Sequence, residues 1–237
     1  MGFWFWFVLC FISFAFVTLV RKRHDYAMLY TIAIGFAINA NIFNATTTPI
    51  MCGKLIFAID SILFTGFMYA VIVCAHEYGV RNAKILTSST IAAILLSATI
   101  EFLAKTSSTG FQASYLISFL GYLFSAVGTF AAVWLMLYFY QVLKNKKCNT
   151  YLNFVVCLLI SSIINSSIFY IFTRITAEDT ITLPYMLAGS YIGKIFCIGL
   201  CLVSFFISTH WFIPNNLKEK YKKDKNENID VAENKTE

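Results

Sequence analysis

The chain has 237 residues, of which 59% are hydrophobic, 17% aromatic and only 13% charged, with a formal net charge of +6. Soluble domains carry about 25% charged and about 45–50% apolar residues, so one water-solvated core of this size cannot hold the apolar side chains, and lipid must solvate them. The positive charge is scattered between hydrophobic runs instead of gathered on one domain, which argues for membrane topology and against nucleic-acid binding.

An apolar run of about 17–25 residues crosses a bilayer as a helix. Such runs lie at 3–20, 26–45, 55–76, 85–104, 113–143, 151–173 and 184–212. None shows the alternation of a barrel strand, so the expected fold is all-α, a polytopic bundle of about seven transmembrane helices. The first run has no basic segment before it and no Ala-x-Ala site, and its positive cluster follows the apolar stretch. It reads as a retained anchor over 1–20, with Trp4 and Trp6 at the outer interface. The bundle is expected over 21–213, followed by a disordered, lysine-rich tail over 214–237.

The connections alternate in basic content. Arg21, Lys22 and Arg23, then Arg81 and Lys84, then Lys144, Lys146 and Lys147, then the six tail lysines fall on one side, fourteen of the eighteen basic residues. The other side holds Lys54, Lys105 and Arg174. The positive-inside rule places the N-terminus outside and the C-terminus in the cytoplasm of a plasma (inner) membrane protein.

Five of the seven cysteines (Cys10, Cys74, Cys157, Cys197 and Cys201) fall inside apolar runs, where thiols act as small hydrophobes. Cys52 and Cys148 lie in connections. No CxxC or HExxH spacing, phosphate loop or nucleophile–base pair occurs, so neither a disulfide framework, a metal, a cofactor nor an enzymatic activity is expected.

Ionisable groups inside membrane spans mark function by default. Lys194 lies about ten residues into the last span, roughly 15 Å deep at 1.5 Å per residue, beyond easy snorkelling. Asp60 in the third run is a candidate to neutralise it. Glu101 has Lys105 one turn away, which reads as an interfacial i,i+4 pair. His76 and Glu77 read as a solvated helix end. Amides complete the polar set: Asn39, Asn41 and Asn44 in the second run, and Asn165 inside the string Ser161 to Ser167. A buried amide donates and accepts at once, which suits a planar, hydrogen-bonding ligand, although interhelical bonding is an equal use. Gly189 and Gly193 read as a close helix approach beside Lys194. Polar groups dispersed over several helices at mid-membrane depth favour carriage over chemistry.

Four segments carry a resemblance: RKRHDYAMLYTIAIGFAINANIF (Arg21 to Phe43), CAHEYGVRNAK (Cys74 to Lys84), LLISSIINSSIFYIF (Leu158 to Phe172) and GSYIGKIFCIGL (Gly189 to Leu200). In order and spacing they resemble the VUT family, vitamin uptake transporter-like proteins that include importers of queuosine precursors, which are deazaguanine bases. The resemblance implies an S-component-like bundle with a substrate cavity between helices, and it supports Asn41, Tyr78, Gly79, Phe169 and Lys194. The family tends to have acids where this chain has Ile72, His76, Asn165 and Cys201, and a proline where it has Val203, which points to a less basic heterocycle.

The expected function is import of a small planar solute, with a queuosine precursor or related compound first among the candidates. Lys194, Asn165, Asn41 and Asp60 would bind it, with lipid the other partner, no nucleic acid, and self-association open. Three alternatives stand beside it. One is the substrate-binding subunit of an energy-coupling transporter, docked through Ala33, Ala37 and Ala40. Another is a non-transporting membrane protein with a decayed site. The third is a retinal photoreceptor, disfavoured because Trp134 is the sole tryptophan of the central spans.

Overall fold

The computed structural model describes the backbone of residues 2–23, 26–46, 50–52, 55–57, 60–176 and 183–211; within these, the side chains at 41–60 and 173–183 and near the N-terminus are left aside. The expected tail at 214–237 lies outside the described residues. Among the described residues seven helices form: α1 Gly2–Arg23, α2 Tyr26–Thr46, α3 Asp60–Glu77, α4 Val80–Thr109, α5 Ala113–Asn145, α6 Thr150–Thr176 and α7 Leu183–Trp211. Strands β1 (Ile50–Cys52) and β2 (Leu55–Phe57) separate α2 from α3. The chain is a membrane helical bundle. Four helices, α4 to α7, are long and apolar enough to cross a bilayer, while the described apolar stretches of α1 to α3 (Cys10–Arg21, Tyr26–Ala40, Ser61–Glu77) are shorter.

The run expected to be helical over 55–76 is divided. β1 and β2 pair antiparallel with Cys52 opposite Leu55, and the helix begins only at Asp60. The sequence accords with this, since Pro49 and Gly53 are residues that disfavour a helix interior. Asp60 therefore opens α3 instead of lying six residues inside it.

α3 is the central pillar. Every residue from Ser61 to Ala75 is buried, and the helix meets α1, α2, α4, α5, α6 and α7. A helix apolar on all sides belongs inside a bundle, and this one has no polar stripe to offer to water. α2 packs tightly on it: a Cβ at Gly66 would stand 3.1 Å from the Phe36 ring. Ala33, Ala37 and Ala40 are buried in the same interior. The energy-coupled alternative would use them as a docking face, but small residues on α2 instead admit close approach to the pillar. α4 and α5 differ, with Leu96, Ile100, Leu103, Val127 and Tyr138 all more than half exposed, the pattern of a lipid-facing wall.

Side-chain bonds fix the helix directions. The ends of α1, α3 and α7 meet through Arg21, Glu77 and Ser208; α3 meets α5 through His76 and Tyr140; the start of α2 meets the start of α4 through Tyr30 and Asn82. Tyr151 at the start of α6 meets His210 at the end of α7. Successive helices thus run up and down, and Arg21, Arg81, Lys84 and Lys144 collect at one end, called here the basic end. The turn from α3 to α4 passes through Gly79 at φ 92°, a left-handed conformation that favours glycine.

Candidate functional site

α7 carries its polar residues on one side. Ser190, Lys194, Cys197, Cys201, Ser204 and Ser208 recur every three to four residues, the spacing that stacks side chains along a single helical face. Gly189 and Gly193 are buried beside the first two, consistent with the close approach read from the sequence.

Lys194 is 4% exposed. Its Nζ donates to Ser166 Oγ at 2.7 Å and to Asn165 Oδ1 at 3.2 Å, both on α6. The same nitrogen stands 5.1 Å from the centroid of Phe64 on α3, within reach of a cation–π attraction. Neighbouring hydroxyls extend the α6–α7 contact, since Ser166 Oγ lies 3.3 Å from Ser190 Oγ and Ser167 Oγ 3.0 Å from the Tyr191 hydroxyl. On the far side of Asn165, a Cβ at Gly128 of α5 would lie 3.6 Å from the amide Nδ2. A charged donor, an amide and an aromatic face from three helices therefore converge on one point.

Lys194 and Asn165, two of the four expected site residues, are brought together. The side chains of Asn41 and Asp60 lie outside the described residues. By position, Asn41 falls in the last turns of α2 and Asp60 at the start of α3, so both backbones stand at the end opposite the basic end. Position 60 precedes Phe64 by one turn, on the same helical register. Asn39 is exposed and its Nδ2 donates back to Gly35 O at 2.8 Å, so it spends its amide within its own helix. Trp134 is 40% exposed with Lys84 Nζ 4.6 Å over its ring, on the outer wall and away from Lys194.

A second polar cluster lies at the basic end. Arg21 Nε donates to Glu77 Oε1 at 2.8 Å, with side chains only 5% and 6% exposed. Arg21 Nη1 donates to Ser208 Oγ at 2.5 Å, Thr209 Oγ1 at 2.7 Å and Phe205 O at 3.2 Å, and its Cζ lies 4.0 Å over the Phe205 ring. Next to it, His76 Nδ1 is 3.0 Å from the Tyr140 hydroxyl, and its ring meets Phe154 and Phe205 edge to face. His76 and Glu77 were expected to form a solvated helix end. They are packed instead, because α1, α5 and α7 end around α3 and supply an arginine, a tyrosine and a phenylalanine.

Sequence reasoning missed this cluster by treating Arg21 as one of three orientation charges. It also missed Phe64. A signal was present for Arg21, since it adjoins the apolar run on the helical register of Phe14, Val17 and Thr18. The Glu101–Lys105 pair is as expected, at 2.5 Å, and Glu101 Oε2 also accepts from the Tyr122 hydroxyl at 2.7 Å. The described cysteines are free thiols, with the Cys10 and Cys197 sulfurs 3.3 Å apart.

Comparison with family models, characterised proteins and solved structures gives no match to this chain.

Proposed function

We propose that this protein is a plasma-membrane importer of a small, planar, hydrogen-bonding solute, bound where Lys194, Asn165 and Phe64 converge. The observation that carries the reading is a lysine 4% exposed inside the bundle, bonded across to the amide of a neighbouring helix. A buried ammonium is expensive, and intramembrane charges of this kind line substrate routes. The chemistry matches a heterocyclic base. Lys194 Nζ donates to a ring carbonyl, Asn165 both accepts from and donates to an amide-like edge, and the Phe64 ring offers a flat face.

The resemblance of roughly residues 21–210 to vitamin uptake transporter-like proteins supports a queuosine precursor or a related deazaguanine as the solute. Asn165 in place of an acid favours a less basic ring. Asn41 and Asp60 complete the proposed site, Asp60 supplying charge balance from one turn before Phe64. The chain works as a carrier, with no cofactor and no catalysed reaction. Orientation follows the basic end: Arg21, Arg81, Lys84 and Lys144 face the cytoplasm, the N-terminus lies outside, and seven crossings result.

The test is uptake of labelled queuosine precursor, read as queuosine in tRNA, in a host unable to make or import it. The parent chain restores the modification and Lys194→Ala at equal membrane abundance does not. Equal rescue by Lys194→Ala contradicts the reading. An energy-coupled version gains nothing from Ala33, Ala37 and Ala40, which are buried; co-purification with an ATPase would revive it.

A further inference from the structure

The polar face of α7 continues past Lys194 to the basic end and meets α1 at Cys197, Ser204 and Ser208. Two turns below Lys194 lie Cys201 and, close behind, Ser204. Ser204 Oγ donates to Phe14 O at 3.2 Å and makes a short hydroxyl contact with Thr18 Oγ1. Tyr69 of α3 faces the same place: it is fully buried, its ring packs edge-on to Phe14, and its hydroxyl makes no hydrogen bond among the described residues. The Thr18 and Ser204 hydroxyls lie near it. One turn further stands Ser208, bonded to Arg21. From Lys194 to Ser208 this seam runs about 21 Å at 1.5 Å per residue.

Such a seam is out of keeping with its surroundings. Hydroxyls join apolar helices elsewhere, but here a polar row runs unbroken from Lys194 to Ser208 past a buried tyrosine hydroxyl that has no hydrogen bond among the described residues. The seam also ends on a group unlike any other here, a buried guanidinium holding a carboxylate from α3 and two hydroxyls from α7. Arginine presents its donors in a rigid fork, so one side chain ties three helices at the point where the seam meets the basic end.

We propose that the α1–α3–α7 seam is the cytoplasmic leg of the solute's route and that Arg21 and Glu77 form its gate, closed in this structure. The inference rests on the carrier reading for its purpose, but its geometry is testable without any solute. Opening requires Arg21 to leave Glu77, Ser208 and Thr209, which separates α1 from α7 and exposes Ser204, Tyr69 and Cys201 in turn.

Cys201 is a built-in reporter, 1% exposed and on the seam. The experiment replaces the other six cysteines with alanine. It then measures the rate at which a membrane-impermeant methanethiosulfonate modifies Cys201 in vesicles of either orientation. In the parent background Cys201 stays nearly unreactive from both sides. Glu77→Gln and Arg21→Gln each raise the rate roughly tenfold or more, from the basic end only. Ser208→Ala removes one acceptor and leaves both charges, so it retains the fold and raises the rate a few-fold. Arg21→Glu/Glu77→Arg restores protection. Unchanged reactivity in Ser208→Ala together with either charge variant overturns the gate, as does equal modification from both sides. Loss of solute uptake in the parent would count against the carrier reading alone, since the labelling pattern is read independently.

Discussion

Two buried cations sit about two-thirds of a membrane apart on the same interior face, and the contacts described around them differ. Arg21 is saturated by a carboxylate, two hydroxyls, a carbonyl and an aromatic ring. The described contacts of Lys194 are the Asn165 amide, the Ser166 hydroxyl and the Phe64 ring, from α6 and α3. A guanidinium is a planar fork that fits fixed acceptors, whereas an ammonium is a compact point charge whose donors rotate toward whatever acceptor is present. The first arrangement suits a latch between helices. The second suits a donor whose partners exchange with a solute carbonyl.

Breaking the contrast begins with the largest effect. Arg21→Ala leaves Glu77 buried without its guanidinium, and loss of one member of a buried pair costs about 3–5 kcal/mol. A marked drop in unfolding temperature in detergent is expected, and an unchanged one would show the pair to be dispensable. Lys194→Met keeps the volume and removes a charge-assisted donor worth about 1.5–3 kcal/mol, so solute affinity falls about 10- to 100-fold, and any loss of thermal stability reports the buried partners it leaves behind. Isothermal titration and a melting curve on one sample separate the two results. Asn165→Leu removes the amide that both donates and accepts. Affinity falls about tenfold, with selectivity shifting toward solutes lacking an amide-like edge, as competition binding would reveal. Smallest is Lys105→Ala. Its partner Glu101 is partly exposed and keeps the Tyr122 hydroxyl, so the loss of an i,i+4 pair costs about 0.3–0.5 kcal/mol and leaves binding untouched.

Much of the architecture was legible because hydropathy is a long-range signal. Six of the seven helices fall within a few residues of their apolar runs, with α4 extended at both ends. The exception is instructive. Residues 55–59 are apolar enough to read as the start of the third helix, yet 55–57 pair with 50–52, and composition over a window averages away local turn signals such as Pro49 and Gly53. Site residues were legible where burial of a charge is anomalous by itself, as at Lys194. Arg21 and Glu77 were not, because charges at helix ends are ordinary until three helices are known to converge on them. Phe64 is one of 24 phenylalanines, and nothing in its neighbours marks it as the ring beside a lysine.

The central claim is that Lys194 is a solute-binding donor and not a structural bond. The most direct measurement is binding of a deazaguanine queuosine precursor to the purified full chain, compared with a Lys194→Met variant of equal thermal stability. Saturable binding by the parent, weakened about 10-fold or more in the variant, is the result expected. Equal affinity in both proteins, or no binding by the well-folded parent, would contradict it.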